Sequence, residues 1–109
     1  MPPEVRIEHR YPAALTFLRH HGPQAVAVLH DLLAHASEVD GHLLARASTR
    51  EIADRLELLS KDSVHRRLRQ LVRAGVIEPV TIAAGPFATP TYVVHLENSG
   101  ITVVANDAA

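Results

Sequence analysis

The sequence predicts a mainly helical α+β domain, and three observations carry that expectation. Up to Ala74, apolar residues recur mostly at helical spacing, whereas beyond Gly75 the chain turns to β-branched residues in alternation. Two serines, Ser48 and Ser60, stand where helices begin, the first inside a Ser-Thr-Arg-Glu capping box. Glycines at 22 and 75 stand where helices end.

The elements follow in order. Residues 1–10 are polar and proline-rich and are expected to form a flexible arm ahead of a single domain over 11–105, with 106–109 a disordered tail. Ala14, Phe17 and Leu18 mark a helix over 12–21, with Pro12 at its first position. Pro23 opens a second helix, 23–36, whose Ala25, Val28, Leu29, Leu32, Leu33 and Ala36 follow the i, i+3, i+4, i+7 pattern. Residues 37–41 read as a turn and 42–47 as a short strand. A helix over 49–57 carries Ile52, Ala53 and Leu56 on one face, and Leu58 and Leu59 form a tight apolar turn assigned to the core. Ser60 then caps a helix running to Ala74, with Asp62 in its first turn. Val76 to Ala83 and Thr91 to Glu97 read as two strands joined by a loop over 84–90, and Pro79 places the first at an edge or bulge. A last short strand is expected over 101–105.

Composition narrows the function classes. A chain of 109 residues supports one domain. The absence of cysteine excludes disulfides, thiolate zinc sites, iron–sulfur clusters and thiol nucleophiles. No apolar run approaches the ~20 residues of a membrane span, and Met-Pro-Pro-Glu-Val-Arg lacks a signal-peptide core, so a cytoplasmic address is expected. The formal net charge of -1 argues against a nucleic-acid binder only until the charges are placed. Eight of the eleven Lys and Arg residues lie between Arg46 and Arg73, a stretch of net charge +4, leaving -5 for the remainder.

The helix after Ser60 divides that charge by face. At about 100° per residue, Val64, Leu68, Leu71 and Val72 form one apolar stripe, with Asp62, Ser63, Arg66, Arg69, Gln70 and Arg73 on the other side. Arg and Gln are the side chains that pair with guanine and adenine edges in a major groove.

Two short helices joined by a tight turn, the second basic, then a hairpin: this layout resembles the winged helix-turn-helix. The stretch from Thr49 to Ile77, with Ile52, Ala53, Leu56, Ser60, Val64, Leu68, Leu71, Gly75 and Ile77 as its core pattern, resembles the DNA-binding part of small bacterial regulators of the MarR and GntR kind, and locally the amino-terminal domain of LexA-type repressors. The likeness covers roughly residues 23–97. It implies three core helices, a β-hairpin wing and an extra N-terminal helix. It also implies a transcriptional regulator, expected to be a repressor, that reads duplex DNA with the helix over 61–74. On that reading Ser63, Arg66 and Gln70 are the base-reading candidates. Lys61, Arg67, Arg73 and Arg50 are phosphate candidates, and Arg69 and His65 complete the face, His65 adding charge when protonated. A homodimer is expected because two half-sites bring useful affinity, with the helix 12–21 and the segment 101–105 as interface candidates.

Three features depart from the pattern, among them a turn one residue longer than the commonest form. Glu57 stands where such turns usually carry glycine, and the tip over 84–90 lacks the basic residue of a groove-gripping wing, although Phe87 is there to wedge or pack. The near-neutral charge and the uncharged tip support an alternative, a winged-helix protein-interaction module or a replication or partition accessory factor with a partner protein. The eight histidines give no H-x3-H pair, so no metal or cofactor is expected, although His30, Asp31, His35 and His42 are the residues from which a site across a dimer would be assembled. No nucleophile elbow or glycine-rich phosphate loop occurs, and no enzyme activity is expected.

Overall fold

A computed structural model describes residues 5–9, 13–80, 89–97, 99 and 101–105. Among them the elements are β1 (Val5–His9), α1 (Ala13–His21), α2 (Pro23–Ala34), β2 (Ala36–Val39), β3 (His42–Arg46), α3 (Thr49–Leu56), α4 (Lys61–Arg73), β4 (Ile77–Val80), β5 (Thr91–Val94) and β6 (Ile101–Ala105). The fold is α+β and mostly helical.

Helix α2 is the hub. Ala25, Val28, Leu29, Leu32 and Leu33 are fully buried, and α1, α3 and α4 all pack against it. Gly22 adopts φ 87° between α1 and α2, a left-handed conformation that lets two helices follow one another with a one-residue break. Phe17 is the side chain α1 sends into the core. Ile52 from α3, and Val64, Leu68 and Leu71 from α4, complete the helical half of that core.

The sheet closes the other side. Its strand order is β2-β3-β5-β4, antiparallel throughout. Ala45, Ile77 and Val94 enter the core from β3, β4 and β5. Pro79 lies on β4, an edge strand, where its missing N–H leaves no gap in a ladder.

Four expectations are corrected. Residues 37–41 are not simply a turn: β2 pairs with β3 through Asp40 and Gly41, both at positive φ (51° and 80°). That is the Asp-Gly signature of a two-residue hairpin whose twist matches its strands. Residues 5–9 are not a free arm: β1 pairs with β6, Val5 opposite Ala105 and His9 opposite Ile101. Leu58 is not core. It is 92% exposed, whereas Leu59 packs against the core. The second strand of the expected hairpin is shorter than read, ending at Val94. Residues 81–88, with Phe87 and most of the expected tip, and 106–109, the expected tail, lie outside the described residues.

Candidate nucleic-acid interface

The local chemistry of α3 and α4 fixes the frame. Ser48 Oγ accepts the Glu51 N–H at 3.1 Å, and Glu51 Oε1 accepts the Ser48 N–H at 3.4 Å, closing the capping box. Glu57 ends α3 at φ 59°, so a carboxylate-bearing residue holds the left-handed position usually given to glycine. Ser60 Oγ accepts the Ser63 N–H at 3.1 Å and starts α4. At the far end, Val76 N–H donates to Leu71 O at 3.1 Å and Gly75 N–H to Val72 O at 3.0 Å, a Schellman closure with Gly75 at φ 75°. Helix α4 is thus sealed at both ends, about 20 Å long, and lies against α2 and α3 by its apolar stripe.

The outward face is cationic. Lys61, His65, Arg66, Arg69 and Arg73 are exposed, and Asp62, the one carboxylate of α4, sits in the first turn where it complements the helix dipole. Among the described residues, Lys61, Arg66, Arg69 and Arg73 have neither an ion-pair nor a hydrogen-bond partner. His65, Arg66, Arg69 and Arg73 follow one another at i, i+1, i+4 and i+8, so their charge is concentrated on one side. Arg50 is exposed on α3.

The other flank of α4 is engaged within the fold, which corrects the expected outward position of Gln70. Its amide donates to His21 O at 2.9 Å and to His21 Nδ1 at 3.3 Å, tying the end of α1 to α4. Arg67 is half-buried and donates from Nη1 to Gln70 Oε1 at 2.9 Å. His21 packs against Phe17 with ring centroids 4.5 Å apart and planes tilted by 47°, and burial, then the charge of His20, lowers its pKa from 6.5. Ser63 is half-buried, its Oγ accepting from Ser60 Oγ at 3.1 Å. Val72, read as part of the apolar stripe, lies at its margin and is 36% exposed.

One arrangement escaped the sequence reading. Arg55 donates to both carboxylate oxygens of Asp31, from Nε at 3.0 and 3.2 Å and from Nη2 at 2.8 Å. Asp31 is buried on the hub helix, and this hydrogen bonding raises the Arg55 pKa. The i, i+4 partner Glu51 is only a distant second at 3.9 Å. Asp31 lies outside the apolar stripe of α2, so helical periodicity gave no signal for this pair. The Asp31 carboxylate is thus engaged within the fold, and His35 Nδ1 meets the Asp31 carbonyl at 2.9 Å. Among the described residues no group of three or more His, Asp or Glu could hold a metal. No described helix is long and apolar enough to cross a membrane.

Comparison with protein-family models, with curated proteins and with solved structures matches nothing.

Proposed function

We propose that this chain is a winged helix-turn-helix DNA-binding protein, acting as a dimeric transcriptional regulator, with α4 as its major-groove element. The observation that carries the reading is the row Arg66, Arg69 and Arg73, exposed and without partners among the described residues, on a helix sealed at both ends. The arginines that the fold engages have partners within it, Asp31 for Arg55 and Gln70 for Arg67. Four cations without such a partner on one rigid helix fit the phosphates and guanine edges of a groove ~12 Å wide. The strand order, with β3 next to β5 and β5 next to β4 behind α4, supports the winged form.

Roles divide along the helix. Arg66 and Arg69 take the base edges, with Arg66 nearest the N-terminal half that usually leads into the groove. Lys61, Arg73 and Arg50 take phosphates, with His65 on the same face. Gln70 and Arg67 hold α1 against α4 and orient the helix. A lone domain with so few contacts binds duplex at only ~10⁻⁴–10⁻⁶ M, so the reading includes a two-fold dimer.

Fluorescence anisotropy against a mixed-sequence duplex across a salt series tests it. A log–log slope of about -4 to -8 is expected for a dimer. No binding at low salt overturns the reading. It would shift the weight to a protein-interaction module, which Leu58, 92% exposed at the α3–α4 turn, specifically favours.

A further inference from the structure

The four-stranded sheet has two edges, and they are built differently. On β4 the open side meets Pro79, which has no N–H to offer a further strand. At the opposite edge β2 pairs on one side alone, with β3. Ser37, Glu38 and Val39 are exposed along it, and no proline blocks it. Such an edge is a template for another strand.

The hairpin fixes which groups point outward. Asp40 and Gly41 form a two-residue loop, so Val39 and His42 exchange their backbone hydrogen bonds. Backbone groups alternate in direction along a strand, so Ser37 also turns to β3, and the N–H and C=O of Ala36 and Glu38 face the open side. Three antiparallel registers of β2 on a second β2 align those groups. Glu38 opposite Glu38 sets two carboxylates together, and Ala36 opposite Ala36 makes a single bonded pair. With Ser37 at the two-fold axis, Ala36 meets Glu38 twice, four hydrogen bonds form, and no like charges are opposed. The edge is therefore complementary to itself in one register, which selects a second copy as its occupant.

We propose that the chain dimerises through this edge, β2 on β2, into a continuous eight-stranded sheet with Ser37 at the two-fold axis. The axis stands perpendicular to the sheet, so the helices of both copies lie on one face of it. Helix α4 lies beside β4, the two sharing a groove walled by Val72 and Pro79. From one β4 to the other are seven steps of ~4.8 Å, about 34 Å in all. That equals one turn of B-DNA, the separation of two half-sites read by a dimer. One α4 covers one half-site, so the site is complete only with the second copy. The spacing rests on the DNA-binding reading, whereas the edge pairing does not.

The test uses the full chain. So small an interface gives a weak dimer with a Kd of about 0.1 mM, and sedimentation equilibrium between about 0.01 and 1 mM should follow monomer into dimer. Over that range amide exchange slows at Ala36 and Glu38 and stays constant at Ser37 and Val39, which are already bonded to β3. Ser37→Lys and Ser37→Glu each weaken the dimer roughly fivefold by setting like charges at the axis, and an equimolar mixture of the two restores it. Glu38→Pro removes two of the four bonds, and a monomer results in which the Val39 amide stays protected. A chain that remains monomeric, protection that falls on β1 or β6 instead, or a mixture that fails to restore association overturns the interface. In the second arm, duplexes selected by the wild type from a random pool carry inverted repeats centred about 10 base pairs apart. Another spacing overturns the placement on DNA, and a dimer that selects no duplex overturns the DNA reading while leaving the interface in place.

Discussion

Arg66 and Arg67 are neighbours in the chain and opposites in the molecule. Arg66 is exposed and has no partner among the described residues, whereas Arg67 is half-buried and bonded to Gln70, which in turn holds His21. A step of about 100° around one helix separates a side chain available to a ligand from one that joins two helices. Composition treats the two alike, so the basic count of the segment overstates the reactive face. Four of the five cations of α4 are available, and Arg55 on α3 belongs to the fold through Asp31.

The largest effect expected is on the stripe both arginines depend on. Leu71 is fully buried, so Leu71→Ala should cost about 2–5 kcal/mol in a urea unfolding series and disturb both flanks together. An unchanged midpoint would mean that α4 does not pack by this face. Next comes the paired arginine. Arg55→Ala leaves the Asp31 carboxylate buried, and about 2–3 kcal/mol of stability should be lost, below the range for a fully buried pair because Arg55 keeps 30% of its side chain exposed.

Arg66→Ala should separate function from stability. A loss of about 1–3 kcal/mol in duplex affinity is expected, with a thermal midpoint like that of the wild type. Gln70→Ala should do the reverse. Removing the link to His21 costs about 1 kcal/mol of stability, and loss of salt-dependent duplex binding out of proportion to that would transfer Gln70 to the outer face.

The smallest effect is a pH slope. His21 has its pKa lowered in the native state by burial and by His20. Below about pH 6.5 the unfolded chain therefore takes up a proton that native His21 resists. Its contribution is fully present above that pH and is lost as pH falls towards and through the native value. Denaturation midpoints between about pH 7.5 and 5 should fall less steeply for His21→Gln than for the wild type, and parallel curves would remove the assignment.

Most elements were legible because their signals are local. The Ser48 and Ser60 caps, the Gly75 closure and the i, i+3, i+4 pattern of α2 depend on residues within a turn or two of each other. The Asp40-Gly41 pair was equally local and was passed over, since the strand before it alternates poorly. The pairing of β1 with β6 was not legible, because it joins residues 5 and 105 across nearly the whole chain and neither strand specifies a partner. For the candidate site, the sequence located the basic helix and its apolar face but not which cations remain available.

By itself, then, the sequence determined where helices start and stop, that α4 has two faces, and that its charge is concentrated there. Tertiary structure decided the rest. Docking α1 turned Gln70 and Arg67 inward, and crossing α2 with α3 gave Arg55 its carboxylate. Laying β4 and β5 beside α4 made a groove beside Val72. Each outcome depends on which element covers which flank, and helical periodicity, which sets only the angle of a side chain around its own axis, contains no information about the neighbour it meets.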